Sequence, residues 1–387
     1  MSKIPIRIVV IITGLEANGA ELMLLRLLEK LDRNRFSVCV ISLTTIGDVG
    51  PQIRSLGFSV EAMGFRPTFG AVRTFIRLVR RLSTISPNIL HTWMYHGDLI
   101  GGIAGKIVGI RHIVWSIRHT DLSLNRNKKS TLVVAKTCAL LSGWLPDIVT
   151  VNSTAARLAH IRYGYSSKKM LVLPNGINVD QFQPSKNARI YLRDELNVNQ
   201  ETLLVGVVGR YHLQKNQIGF VQAMSIILAV RPEVHFVFIG AEMNSNNIKF
   251  CNLIKEAGVA NVCHLLGARD DMPRLIAALD LLALPSLGEA FPNVVAEAMS
   301  CEVPCVVTDV GDASYIIGES GRVVPNGAMD SLGYAICDLL SLPSDERARL
   351  GKMARMRVEK HFKMSQVVNQ YESFYTNLFA NVSKASF

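Results

Sequence analysis

The stretch Leu281-Leu282-Ala283-Leu284-Pro285-Ser286-Leu287-Gly288-Glu289-Ala290-Phe291-Pro292-Asn293-Val294-Val295-Ala296-Glu297-Ala298-Met299 decides the fold. A short apolar run stopped by proline reads as a buried strand. Pro292 and Asn293 stand where helices ordinarily start, and a helical pattern follows them. Strand, loop and helix in so few residues make one βα unit of a parallel sheet. Glu289 falls on the loop, and Glu297 falls about one turn into the helix. A helix N-terminus seats anions through its unpaired N–H groups and its dipole. The segment therefore offers an anion seat and two carboxylates that can accept hydroxyl hydrogen bonds, a combination suited to a phosphorylated sugar.

The same unit recurs in both directions along the chain. In the first half, Arg7 to Ile12, Ser37 to Leu43, Asn88 to Thr92, His112 to Ile117 and Ile148 to Asn152 read as strands with helical stretches between them. Between 174 and 190 the texture turns to Pro, Gly and Asn, which is linker chemistry. Strands then resume at Leu203 to Val208, Val234 to Ile239, Val262 to Leu266, Leu281 to Leu284 and Val303 to Val307. The expectation is α/β throughout, as two Rossmann-like doubly wound parallel-sheet domains. The first spans 1–180 and the second 190–361. Pro343 to Phe379 reads as helix, and its end, within 362–387, is expected to cross back and pack on the first domain. In open α/β sheets, ligands bind at the carboxyl ends of strands. Two such domains would face each other across a central cleft.

The length of 387 residues fits two domains, and 49% hydrophobic content fits an ordered, packed chain. Seven cysteines without metal or redox spacing suit reduced thiols in a cytoplasmic setting. No secretory signal or membrane span is expected. Residues 1–190 hold 25 Lys+Arg against 10 Asp+Glu, a net charge of +15. Residues 191–387 hold 17 against 21, a net of −4. A basic half implies an anionic partner. No nucleic-acid-binding motif is present, so an anionic membrane surface is preferred to nucleic acid. The basic residues gather in Ala71 to Leu82, where Arg73, Arg77 and Arg80 share a helical face and Val72, Phe75, Ile76 and Val79 form the other. Arg81 adjoins them, and Asn125-Arg126-Asn127-Lys128-Lys129 adds a basic loop. The alternative is a solvated helix face packed on its own sheet.

At the start of the second domain, Gly209-Arg210 and Lys215-Asn216 follow a strand end. Arg as a forked donor and Lys as a movable charge suit a diphosphate. With Gly267-Ala268-Arg269-Asp270-Asp271, the segment from Glu289 to Met299 and the linker Pro174-Asn175-Gly176-Ile177, this set resembles the retaining GT-B glycosyltransferases of family 4, the group 1 glycosyltransferases. The resemblance covers nearly the whole chain.

The resemblance implies GT-B architecture and transfer from a nucleotide-diphosphate sugar, UDP-linked by family frequency. It implies a hexose or N-acetylhexosamine as the transferred group. Arg210 and Lys215 would hold the diphosphate. Glu289 would meet the sugar hydroxyls, and Phe291, Pro292, Asn293 and Val294 would line sugar and phosphate. Glu297 would hold the ribose, and Arg269 would lie by the base. In the first domain, Asn18-Gly19-Ala20-Glu21 resembles the family's Gly-Gly-Ala-Glu loop, with Gly19 letting backbone approach the phosphates. The family's histidine near the transferred sugar matches His119, beside Arg118, or alternatively His96. On this resemblance Glu289, His119, Arg210 and Lys215 are the catalytic candidates, and His96 and Arg118 the acceptor-side candidates.

No Asp-x-Asp occurs, so metal-independent transfer without a cofactor is expected. The acceptor would be lipid-linked or an oligosaccharide, in polysaccharide, lipopolysaccharide or capsule biosynthesis. The enzyme would be cytoplasmic, peripheral on the cytoplasmic face of the inner membrane. A nucleotide-sugar epimerase and a non-catalytic membrane scaffold remain as alternatives.

Overall fold

Ile8 to Ile12 are all buried, as a strand covered on both faces requires. The computed structural model describes residues 4–65, 70–123 and 127–380. The described chain falls into two compact units. Unit 1 ends at Gly176 and resumes at Met364, whereas unit 2 is Ile177–Lys363.

Unit 1 holds β1 (Ile6–Ile12), β2 (Phe36–Ser42), β3 (Ser59–Ala62), β4 (Ile89–Trp93), β5 (His112–Ile117), β6 (Ile148–Val151) and β7 (Met170–Val172). They form one parallel sheet in the order β3-β2-β1-β4-β5-β6-β7. Unit 2 holds β8 (Leu203–Val208), β9 (Val234–Ile239), β10 (Cys263–Gly267), β11 (Leu281–Leu284), β12 (Cys305–Thr308) and β13 (Arg322–Val324). Their order is β10-β9-β8-β11-β12-β13, again all parallel. Both sheets are doubly wound, and in each the strand order reverses beside the first strand. That switch point, between β1 and β4 or between β8 and β11, is where such sheets open to ligand.

The helical run expected over 343–379 is two helices, Ser344–His361 in unit 2 and Met364–Ala380 in unit 1. The break is held by packing. Phe362 is buried against Phe291, ring centroids 5.4 Å apart, and its carbonyl accepts from Ile177 N at 2.8 Å. The last helix returns to unit 1, burying Met364, Val367, Val368, Tyr371 and Tyr375 in its core. Glu372 on that helix accepts from Asp32 N and from Arg35 Nη1, both at 2.9 Å.

The helix Ala71–Ile85 sits differently from its expected two faces. Leu78 and Leu82 are buried, with Phe75 and Val79 packed beside them against Val9, Ile11 and Leu90. The buried stripe is centred on Leu78, which rotates Val72 and Ile76 into solvent. Arg77 donates to the Met63 carbonyl, and Arg81 pairs with Glu61. Arg73 and Arg80 point outward. Asn125 and Arg126 of the expected basic loop lie outside the described residues. None of the seven cysteines is in a disulfide. No helix among the described residues is long and apolar enough to cross a membrane.

Candidate active site

The carboxyl ends of β8 and β11 bring together two distant segments of unit 2. Gly209 leaves β8 at φ +147°, and Gly240 leaves β9 at φ +146°. A Cβ on Gly240 would lie 2.1 Å from the Gly209 carbonyl oxygen, so only glycine lets the two strand ends approach. The following loop is fixed from inside. Buried Gln217 donates to the Arg210 carbonyl at 2.9 Å and accepts from His212 N at 3.3 Å. Asn216 takes the left-handed conformation, accepts from Gly219 N as the helix cap, and donates to the Pro285 carbonyl at 3.3 Å. Leu287 N donates to the Gln214 carbonyl at 2.7 Å. The β8 loop and the β11 loop are therefore stitched together.

Within this frame Lys215 Nζ reaches Glu289 Oε1 at 2.6 Å. Ser286 Oγ donates to the same oxygen at 2.7 Å. Ser286 is nearly fully buried, and its carbonyl accepts from the buried Thr308 hydroxyl at 2.6 Å. Gly311 backs the loop at φ +58°, where a Cβ would stand 2.4 Å from the Glu289 carbonyl oxygen. Asp312 N donates to the Ala290 carbonyl at 2.9 Å. The sequence pointed to Lys215 and Glu289 but not to Ser286. Its signal was the small hydroxyl residue just beyond the β11 proline.

Glu297 is buried on the helix Asn293–Ser300, which Pro292 precedes without a side-chain cap. An uncapped start leaves first-turn N–H groups to find acceptors elsewhere. Phe291 is buried in the hydrophobic core of unit 2, and Val294 packs against that core. Arg210 is exposed and makes no ion pair among the described residues. Arg269 follows β10, at the sheet edge away from β11. Its guanidinium forks onto Asp271, both contacts 2.9 Å, and meets Glu195 at 2.8 Å. Arg274 joins the same pair of carboxylates, and the arginine hydrogen bonds hold the Asp271 carboxyl down at about 2. The Arg269 side chain is thus spent on this network.

In unit 1, Gly19 opens the helix Gly19–Lys30 after β1, with Asn18 at the cap. Glu21 in its first turn has a buried Oε2 without a hydrogen-bond partner, and burial raises its pKa. Met94 turns the chain out of β4 at φ +69°, a costly conformation for a side-chain-bearing residue. His96 follows, half-buried, with its pKa lowered by burial. His119 follows β5, and its Nε2 lies 3.2 Å from Asn127 Oδ1. Asn127 Nδ2 in turn donates to the Asp121 carbonyl at 2.8 Å.

Residues 17–181 match Glycosyltransferase Family 4, and residues 202–342 match Glycosyl transferases group 1. The chain belongs to the family 4, group 1 glycosyltransferases. It is 24% identical over 376 residues to the UDP-Gal:alpha-D-GlcNAc-diphosphoundecaprenol alpha-1,3-galactosyltransferase of Escherichia coli, covering 94% of this chain and 95% of that one. It is 28% identical to the lipopolysaccharide core biosynthesis mannosyltransferase LpsB of Rhizobium meliloti, over 61% of this chain and 69% of the relative. The crystal structure of Anabaena Alr3699/HepE in complex with UDP superposes with a TM-score of 0.84 at 23% identity, covering 96% of this chain and 100% of that one. These likenesses fit the GT-B architecture read from the two sheets.

In this glycosyltransferase, Arg118 sits among scaffold groups rather than open to solvent. Its Nη1 donates to Asn175 Oδ1 at 2.6 Å, its Nη2 donates to the Tyr371 hydroxyl, and its Nε reaches Ser116 Oγ at 3.3 Å. The guanidinium lies over the Trp93 ring, 4.1 Å from its centroid. Behind β4 and β5, fully buried Asp98 accepts from the Thr92 hydroxyl at 2.6 Å and from Ser116 N at 3.3 Å. Its other oxygen has no partner, and burial drives its pKa well up. Neither role could be read from sequence, because both depend on which strands become neighbours.

Proposed function

We propose that this glycosyltransferase transfers a hexose or N-acetylhexosamine, with retention of configuration and without a metal, from a UDP-sugar to a lipid-linked glycan. The observation that carries the reading is the Lys215–Glu289 pair at the switch point of the second sheet. It sets a mobile cation and a hydroxyl-accepting carboxylate side by side, as a sugar joined to a diphosphate requires. Arg210 and Lys215 bind the diphosphate and stabilise the charge that grows on it as the glycosidic bond breaks. Glu289 accepts from sugar hydroxyls, and Glu297 accepts from the ribose. The sugar becomes oxocarbenium-like. The acceptor oxygen forms its bond to the anomeric carbon on the side the diphosphate leaves. The departing phosphate oxygen takes the acceptor proton. His119, or alternatively His96, is assigned to the sugar-proximal side of unit 1, and Gly19 to close backbone approach.

Support for the donor and acceptor comes from relatives. The Anabaena structure holds UDP, and the Escherichia coli relative is named for a UDP-Gal donor and a diphosphoundecaprenol-linked acceptor. The Rhizobium meliloti relative is named for lipopolysaccharide core biosynthesis. A lipid-linked acceptor puts the work at an anionic membrane surface, which the basic first half suits.

The test is a UDP-sugar panel with lipid extract, followed by NMR of the anomeric proton in donor and product. Inverted product, or activity lost in EDTA and restored by magnesium or manganese, would refute the corresponding part. Donor consumption that does not depend on added acceptor would refute transfer itself and favour an epimerase.

A further inference from the structure

Large apolar side chains are left in solvent on two neighbouring helices of unit 1. The helix Met94–Val108 exposes Ile107 at 61%, and the helix Lys129–Leu141 with its following turn exposes Leu140 at 76% and Trp144 at 64%. Val133, two turns before Leu140 on the same face, is exposed as well. The two helices pack side by side. Lys106 bridges them, with Nζ 5.5 Å from the centroid of the Trp144 ring. The helix Ala71–Ile85 packs on the other flank of Met94–Val108 and adds exposed Val72, Ile76, Arg73 and Arg80.

The charge of the stretch that carries these residues is predominantly positive. Residues 61–147 contain twelve Lys+Arg and four Asp+Glu, namely Glu61, Asp98, Asp121 and Asp147. Asp98 is fully buried, Glu61 is paired with Arg81, Asp121 accepts from Ser123 N at 2.8 Å, and half-exposed Asp147 accepts from Ile113 N at 2.9 Å. Exposed aliphatic and indole groups in a stretch where basic residues outnumber acidic ones three to one match an interfacial lipid site. A second copy is disfavoured because pairing this face with itself would bring like charges together. A nucleic acid would gain little from Ile107 and Leu140.

We infer that this face of unit 1 docks on anionic lipid, with Ile107, Leu140 and Trp144 entering the headgroup–acyl boundary and Lys106, Arg73 and Arg80 meeting the phosphates. The inference deepens the membrane-surface reading above, and names the residues that make contact.

Trp144 supplies its own probe. The chain has three tryptophans, and Trp93 and Trp115 are fully buried. The full-length protein is mixed with vesicles of phosphatidylcholine alone, or with about a third phosphatidylglycerol. The anionic vesicles should shift Trp emission to the blue, shield it from acrylamide and allow quenching by brominated lipid. Neutral vesicles should do so far less. Trp144→Phe should lose the signal while co-sedimentation persists. Ile107→Asn with Leu140→Asn should lower partitioning by about tenfold or more, with an unchanged thermal midpoint. Unchanged emission together with wild-type partitioning of the double variant would overturn the proposal. So would a concentration-dependent dimer abolished by the same substitutions. Transfer to a water-soluble acceptor should survive in the double variant. Vesicle binding without transfer to any acceptor would instead overturn the enzymatic reading and leave the docking face standing.

Discussion

Lys215 Nζ and Glu289 Oε1 stand 2.6 Å apart, so the cation assigned to the diphosphate and the carboxylate assigned to the sugar are paired with each other. The carboxylate is mostly buried and the ammonium about a quarter exposed, with side-chain accessibilities of 11% and 26%. An arriving diphosphate competes for Lys215, and the released Glu289 oxygen becomes available to a sugar hydroxyl. The two steps are then coupled. Lys215→Ala should lower kcat by more than about a hundredfold, since one donor aimed at developing charge commonly supplies ~3–4 kcal/mol. Lys215→Ala combined with Glu289→Gln should cost clearly less than the sum of the single effects. Steady-state kinetics of the four proteins checks this, and strict additivity would show that the pair does not act as a unit.

Ser286 holds Glu289 whether or not Lys215 does. Its backbone is fixed separately by the Thr308 hydroxyl, so removing its Oγ leaves the loop path intact. A hydrogen bond to a charged group is worth about 1.5–3 kcal/mol. Ser286→Ala should therefore lower kcat/KM by roughly tenfold to a hundredfold. Affinity for UDP alone should stay unchanged by calorimetry, because Ser286 meets the sugar-side carboxylate rather than the nucleotide. Loss of UDP affinity would place Ser286 in the diphosphate site instead.

The repeated βα pattern was legible because parallel strands covered on both faces are continuous apolar runs. The strands around both switch points are of this kind. Ser59–Ala62, Met170–Val172 and Arg322–Val324 were not foreseen. All three are sheet edges only three or four residues long, too short to carry a period. The pairing of Lys215 with Glu289 follows from the order β8-β11, which no local pattern encodes. Arg269 and Arg118 stood in suggestive places in sequence. Asp271 is a near neighbour of Arg269 in sequence, but Glu195, and the Asn175 and Tyr371 that hold Arg118, are brought near only by the fold.

Arg118 offers a clear division between scaffold and acceptor roles. Its fork serves Asn175, at the exit of unit 1, and Tyr371, on the helix by which the chain returns. Lysine keeps the charge but cannot fork or stack as flatly. Arg118→Lys should destabilise unit 1 by about 2–4 kcal/mol in urea unfolding, and Tyr371→Phe by about 1 kcal/mol. UDP affinity should not change. If Arg118→Lys leaves stability intact and raises only the acceptor KM, the side chain is an acceptor contact.

Acid should test the buried groups of unit 1. His160 is fully buried, with Nε2 2.7 Å from the Tyr95 hydroxyl and Nδ1 2.8 Å from the Ala156 carbonyl, contacts that a neutral ring satisfies by donating from Nδ1 and accepting at Nε2. Burial lowers its pKa from 6.5 to about 4, while the Ala156 bond opposes and His119 adds slightly. The neighbouring Tyr95, Tyr165 and Cys138 have pKa values raised by burial and stay uncharged. Unfolding lets His160 take a proton, so its contribution is complete above pH 6.5 and is lost as pH falls towards 4. The slope is about 1.4 kcal/mol per pH unit inside that window. Asp98 has the opposite sign. Its raised pKa means that unfolding releases a proton, so its contribution is complete below 3.8 and is lost as pH rises. His160→Gln should therefore flatten the fall in stability between pH 6.5 and 4, and Asp98→Asn, which keeps the shape, should steepen it. Urea midpoints across that range distinguish the two, and parallel curves for all three proteins would mean that neither group is buried as described.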